Sequence, residues 1–258
     1  MDDGPHEWRS DLRHEFALRR AGIDRWTIAI TRLLGLPRDP EWRRLLDMTE
    51  GRAMADRLRR VNILRLVQRL DRERIPGALA ECGVARGGVA GLLGAKAEAG
   101  PIRRDVWLFD SFVGLPEPTA PDGAPAIRLA HNRGEGKLEP IGECVGTLED
   151  VRGFLFDDCH LREDRIHFVE GWFQNTLPSY AGDPIALVHV DSDWYESVRV
   201  CLEALWPFVV PGGYVVIDDY GHWEGARRAT REFLAKQPRG ILFLRKGYTQ
   251  AYFRKPLR

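Results

Sequence analysis

The chain has 258 residues, enough for one large domain with a full core and a modest N-terminal extension. Its 38 Lys and Arg balance 38 Asp and Glu, so no whole-molecule field draws it to nucleic acid or to an anionic membrane. Cys82, Cys144, Cys159 and Cys201 form neither a Cys-x-x-Cys pair nor a disulfide framework, residues 1–10 lack a signal-peptide core, and the apolar run 26–36 is broken by Arg32 and too short to span a bilayer; a reduced cytoplasmic protein without a membrane anchor is expected.

In chain order, residues 1–75 read as a helical cap, because 41–46 and 51–70 set apolar residues three and four apart among many arginines. The stretch Arg57-Leu58-Arg59-Arg60 reads as a solvated helix face. Over 76–258 short apolar runs alternate with amphipathic ones, the mark of βαβ units and a mostly parallel α/β sheet of Rossmann-like form. Strands are expected at 78–82, 105–109, 165–169, 185–190 and 213–217, and helices at 88–98, 146–157, 194–206 and 223–236. The tail carries two β-rich runs around Lys246-Gly247, which suits an antiparallel hairpin at the sheet edge. Residues 114–140 read as one irregular insert rich in Gly and Pro, a length usually functional or mobile.

The first strand runs into Glu81-Cys82-Gly83-Val84-Ala85-Arg86-Gly87-Gly88 and then a helix. Small residues there let a ligand approach the backbone. A dinucleotide site would want glycine where Glu81 stands, so that a pyrophosphate can reach helix N-terminal amides. An acid suits a cationic ligand instead, and S-adenosylmethionine carries an ammonium and a sulfonium. The next strand ends at Asp110, placed to accept hydrogen bonds from both ribose hydroxyls. Either acid alone could be a cap of a strand-to-helix turn; two of them around one glycine loop favour a cofactor site.

Two further strands end in acids, one at Asp191-Ser192-Asp193 and one at Asp218-Asp219. Carboxyl ends of parallel strands converge on one crevice, where several carboxylates repel unless a hard cation joins them. Oxygen ligands favour Mg²⁺ over Zn²⁺. Asp193 stands three residues before Glu196, the spacing of a capping box at the head of helix 194–206, so Asp191, Asp218 and Asp219 are the expected metal ligands. The alternative for this trio is a set of solvated loop acids. His189 reads as a core residue and His222 as a secondary candidate for proton transfer.

Five ordered motifs resemble the macrocin O-methyltransferase family: Glu81-Cys82-Gly83-Val84-x-Arg86-Gly87-Gly88, Trp107 to Pro116, Gly171 to Pro178, His189-x-Asp191-x-Asp193-Trp194-Tyr195-Glu196-Ser197, and Pro211 to Gly221. The resemblance implies a class I methyltransferase fold, S-adenosylmethionine as methyl donor, Mg²⁺, homo-oligomers, and a sugar hydroxyl of a glycosylated natural product as acceptor. It implies that Glu81, Gly83, Arg86, Gly87, Asp110, Ser111 and Asp191 border the cofactor, with Gly171, Trp172, Phe173 and Gln174 beside its adenine. Asp191, Asp218 and Asp219 match the metal triad, and Asp191 the proposed base. Trp194 stands where catechol O-methyltransferase carries a lysine, so a lysine base does not transfer. Ala85 replaces the usual tryptophan of the glycine loop, and the first 45 residues match nothing in the family, whose N-terminal region closes over substrate. Two other readings remain open: a metal-independent methyltransferase acting on a carboxylate or phenol, and a noncatalytic nucleotide-binding Rossmann module.

Overall fold

The computed structural model of the chain describes residues 39–238 and 240–257; the expected cap over 1–38, with its apolar run 26–36, lies outside them. Two helices come first, α1 (Pro40–Met48) and α2 (Arg57–Arg72). They start where acids can cap them: Asp39 accepts from the Glu41 N–H at 2.9 Å and Asp56 from the Arg59 N–H at 2.9 Å. The helix expected from residue 51 therefore begins only at Arg57, since Gly51 sits at φ +76° and Asp56 supplies the first cap.

The alternation then follows as β1 (Ala78–Cys82), α3 (Gly88–Ala99), β2 (Val106–Asp110), α4 (Gly123–Leu129), α5 (Leu148–Gly153), β3 (Ile166–Glu170), α6 (Phe173–Thr176), β4 (Ile185–Val190), α7 (Tyr195–Leu205), β5 (Val209–Ile217), α8 (Glu224–Ala235), β6 (Phe243–Lys246) and β7 (Gln250–Arg254). One seven-stranded sheet results, in the order β3-β2-β1-β4-β5-β7-β6. Its first five strands are parallel, and β7 runs antiparallel to both β5 and β6, as the edge hairpin requires.

The central strands β1 and β4 are buried along their whole length, because helices cover both faces. On one face Leu79, Leu108, Ala186 and Val216 pack with Ile63, Leu66, Val67 and Leu70 of α2 and Val89, Ala90 and Leu93 of α3. On the other, Ala80, Val188, Val215 and Ile217 pack with Val198, Cys201 and Leu202 of α7 and Ala226, Ala229 and Phe233 of α8.

Three expectations change. The helix expected over 146–157 starts at Leu148, capped by Thr147, and ends in a wide π turn over Phe154–Asp158. The insert 114–140 is not wholly irregular: a 3₁₀ turn at Ala120–Asp122 leads into α4, whose Ala126 packs with Ala130, Ile141 and Trp194. The arginine stretch is not a solvated face either, for Arg59 is 6% and Arg60 2% exposed. Arg60 reaches the Leu46 carbonyl and Thr49 Oγ1 at 2.9 Å each and Glu50 at 2.6 Å, so its desolvation is offset by partners that sequence spacing does not reveal. Among the described residues no helix is long and apolar enough to cross a membrane.

Candidate active site

The parallel register sets Glu81 of β1 beside His189 of β4, and His189 beside Val216 of β5, so the segments after these strands leave the sheet side by side. Their backbones stay paired beyond the strands: Asp191 N–H donates to the Cys82 carbonyl at 2.8 Å and Asp218 N–H to that of Val190 at 2.9 Å. Gly83 lies at φ +92°, and a Cβ there would stand 1.7 Å from the carbonyl oxygen of Asp191. The glycine loop is thus in backbone contact with the first acid of the neighbouring cluster.

On the cofactor side Glu81 is 1% exposed; Oε1 lies 3.2 Å from His189 Nδ1, while Oε2 is buried without a hydrogen-bond partner. A buried carboxylate oxygen with an open lone pair fits an ammonium. Asp110 ends β2 as expected, and its carboxylate accepts from the N–H groups of Val84 at 2.6 Å, Ala85 at 3.0 Å and Phe112 at 2.7 Å. Burial pushes its pKa up, against those bonds. Asp110 therefore holds the glycine loop in shape, a task its position at a strand end did not announce. Ser111 Oγ donates to the Gly114 carbonyl at 2.8 Å. Gly87, at φ +86°, opens α3, and Arg86 beside it is exposed. Gly171 lies at φ +136°, followed by half-buried Trp172, Phe173 and Gln174; Phe173 packs on the core under α7.

The acids meet. Asp218 is fully buried and Asp219 is 9% exposed, whereas Asp191 and Asp193 keep part of their surface open, so this is a lined crevice rather than a set of solvated loop acids. Burial first, and then Asp218, Asp219 and Asp193, drive the Asp191 pKa well up; burial and Asp219 do the same to Asp193. Asp219 has its pKa raised by burial and by Asp218, and its carboxyl lies against that of Asp191. Its Oδ2 is buried with no partner. An unpaired buried oxygen among mutually repelling carboxylates fits a hard divalent cation.

Asp218 differs. Burial opposes its charge, yet Arg59, His189 and Gln250 outweigh burial and hold its pKa low. Arg59 Nη1 donates to Oδ2, Gln250 Nε2 donates to Oδ1 at 2.9 Å, and His189 Nε2 lies 3.4 Å from Oδ1. His189 is buried between Asp218 and Glu81, which overcome burial and raise its pKa to about 9. With both nitrogens protonated it has no lone pair for a metal, although it lies with Asp191 and Asp218 in a group whose oxygens and nitrogen come within 4.8 Å of one another. Its reading as a satisfied core residue holds. His222 is exposed, edge-to-face on Trp223 at 4.6 Å, and near enough to Asp219 to lower its pKa when protonated.

The capping box at α7 is absent. Asp193 sits at φ +53° in a tight turn closed by Trp194 N–H donating to the Ser192 carbonyl, and this left-handed backbone sends its carboxyl into the cluster, hydrogen-bonded to Trp223. Glu196 pairs with Arg199 at 2.7 Å instead of reaching back. The acid at the α7 N-terminus is Asp122 of the insert, whose Oδ1 accepts the Tyr195 N–H and whose Oδ2 accepts Thr119 N–H and Oγ1. Trp194 adds a bond from Nε1 to the Pro116 carbonyl at 2.9 Å. The insert is thereby fastened beside the acids. Sequence reading missed Arg59, Asn62, Asp122 and Gln250; Arg59 and Asn62 could have been noticed, since they interrupt the apolar stripe of Ile63, Leu66 and Leu70 at helical spacing.

A sheet of this order with β7 reversed, a glycine loop after β1 and acids at its carboxyl edge define the class I methyltransferase architecture. The chain belongs to the Macrocin-O-methyltransferase (TylF) family, whose model matches residues 43–255. It is 37% identical over 160 residues to the 8-demethyl-8-(2,3-dimethoxy-alpha-L-rhamnosyl)-tetracenomycin-C 4'-O-methyltransferase of Streptomyces olivaceus, covering 62% of this chain and 59% of that one. It is 35% identical over 176 residues to the demethyldecarbamoylnovobiocin O-methyltransferase of Streptomyces niveus, covering 68% and 64%. These matches span about three fifths of each relative's length. Among solved structures the O-methyltransferase NovP superposes with TM-score 0.68 at 30% identity, over 80% of this chain and 83% of that one. The calicheamicin methyltransferase CalS11 superposes with TM-score 0.57 at 25% identity, over 98% and 94%.

Proposed function

We propose that the chain is an S-adenosylmethionine-dependent O-methyltransferase that uses a divalent cation, Mg²⁺, to methylate a sugar hydroxyl of a glycosylated natural product. The observation that carries this reading is the backbone contact of Gly83 with Asp191, which sets a cationic-ligand site and an oxygen-rich cation site side by side. Family membership and the sugar or antibiotic acceptors in the names of its relatives support the acceptor class.

In this reading Glu81 Oε2 takes the ammonium of the methyl donor, and the loop from Gly83 to Gly87, shaped by Asp110, lies along its amino-acid end. Arg86 belongs to that loop, Ser111 follows Asp110, and Gly171 to Gln174 form the wall assigned to the adenine. A divalent cation bound by Asp191 and Asp219, with Asp218 as third ligand, would supply the Lewis acidity that lowers the pKa of the acceptor hydroxyl. Such a crevice would hold the acceptor hydroxyl in line with the sulfonium methyl, the arrangement that methyl transfer needs. Asp191, or Asp193 across the crevice, would receive the hydroxyl proton, both carboxyls standing in the cluster beside the cation. His222 at the mouth is the next proton acceptor.

In the same reading 76–258 is the methyltransferase unit, with α2 packed on its sheet. Homo-oligomeric assembly and a cytoplasmic location belong to it too. The test is methyl transfer from labelled S-adenosylmethionine to a panel of deoxysugar-bearing natural products. Transfer that stops in EDTA and returns with Mg²⁺ is expected; transfer indifferent to EDTA, or only to a carboxylate or phenol, defeats the proposal.

A further inference from the structure

Arg59 projects from α2 into the acidic cluster. Besides Asp218 Oδ2, its guanidinium donates to the Met54 carbonyl at 2.9 Å, and Nε lies 3.7 Å from Asp56. Asn62, one helical turn on, donates at 2.7 Å to Gln250 Oε1, and Gln250 donates to Asp218 Oδ1. The helix thus grips Asp218 twice, once directly and once through β7. Buried ion pairs are weak sources of stability, because desolvating both charges offsets most of their attraction. What this pair changes is the charge of the crevice. Arg59 is the cation that α2 contributes there, and it lies within electrostatic reach of Asp191 and Asp219 as well as Asp218.

We infer that Arg59 is a positioning residue that serves as a resident cation of the crevice: by holding Asp218 it weakens divalent-cation binding at Asp191, Asp218 and Asp219 and keeps that binding reversible. The inference rests on the cation reading above. An oxygen of Asp191 lies within 4.8 Å of one of Asp218, so a cation held by Asp191 stands close to the guanidinium, and like charges at that range in a buried site repel. The same guanidinium offsets part of the repulsion among the four acids before any cation arrives.

The experiment is a calorimetric titration of the full chain with Mg²⁺ alone. Arg59→Gln is expected to bind Mg²⁺ at least tenfold more tightly than the parent, and Arg59→Lys, which keeps the charge, within about threefold of it. Thermal unfolding supplies a second reading: in EDTA the Gln variant melts below the parent, and Mg²⁺ raises its melting temperature by more than it raises the parent's. Should Arg59→Gln not fold, Arg59→Met keeps the packed stem and removes the same charge. A prop that merely holds Asp218 as a ligand predicts the opposite sign. Saturable binding in the parent with equal or weaker binding in the neutral variants overturns this inference alone. Saturable binding only in the neutral variants supports it, and no binding in any of them overturns the cation reading with it.

Discussion

The carboxylate of Asp122, in the insert, accepts a 2.5 Å hydrogen bond from the backbone N–H of Tyr195 at the start of α7. The helix that carries the site's forward wall is therefore capped from a distant part of the chain, and the neighbouring Asp193 is released to the acidic cluster. Asp122→Ala should lower stability by about 0.5–2 kcal/mol, the usual cost of a lost N-cap. Asp193→Asn should leave stability in EDTA unchanged or raise it, because a repelling charge is removed. Urea unfolding of both variants checks this; a loss with Asp193→Asn as large as with Asp122→Ala would restore Asp193 as the cap.

Gly83→Ala should disable both ligand sites together. A Cβ at φ +92° meets the Asp191 carbonyl, a backbone atom that cannot swing away, so the glycine loop and the Asp191 turn must separate. Titrations with S-adenosylhomocysteine and with Mg²⁺ should each weaken at least tenfold. Loss of one with the other intact would show that the two sites do not share this contact.

Asp110→Ala tests whether that acid shapes the loop or only meets a ribose. Three backbone bonds to a carboxylate, two of them buried, are lost, at about 1.5–3 kcal/mol for each such bond before relaxation. The ligand-free protein should therefore melt several degrees lower, and S-adenosylhomocysteine binding should weaken as well. A ribose-only role predicts an unchanged ligand-free melting temperature.

His189 makes stability fall as pH rises. Its folded pKa of about 9 lies above the ordinary value of 6.5, so its contribution is fully present below about pH 6.5 and is lost as pH climbs through 9. Unfolding free energy measured in EDTA from pH 6.5 to 9.5 should decline more steeply in the parent than in His189→Asn. Equal slopes would mean that His189 is neutral in the folded protein.

Much of this was legible in the chain. The strands at 78–82 and 185–190 were readable because buried parallel strands are continuous apolar runs, and the acids ending them follow from where such strands stop. What stayed hidden depends on partners far apart in sequence. The spacing of Asp193 and Glu196 fits a capping box, yet Asp122 comes from 73 positions away from Tyr195 and takes the place. Charge patterning describes Arg59 and Arg60 as surface residues, because it sees neither Asp218, 159 positions from Arg59, nor the Leu46 carbonyl, Thr49 hydroxyl and Glu50 carboxylate that Arg60 meets. The insert looked irregular because its short helix is held by packing of Ala126 and Trp194 rather than by a periodic pattern of its own.

The central claim is that the acids hold a catalytic cation beside the methyl donor. The most direct measurement is calorimetric titration of Mg²⁺ into the chain saturated with S-adenosylhomocysteine, for the parent, Asp219→Asn and Asp191→Asn. One Mg²⁺ per chain is predicted in the parent, with binding at least tenfold weaker in both variants, each of which loses a carboxylate charge, Asp219→Asn at the unpaired Oδ2. A parent that binds S-adenosylhomocysteine but shows no saturable Mg²⁺ site, or variants that bind Mg²⁺ as tightly as the parent, would contradict it.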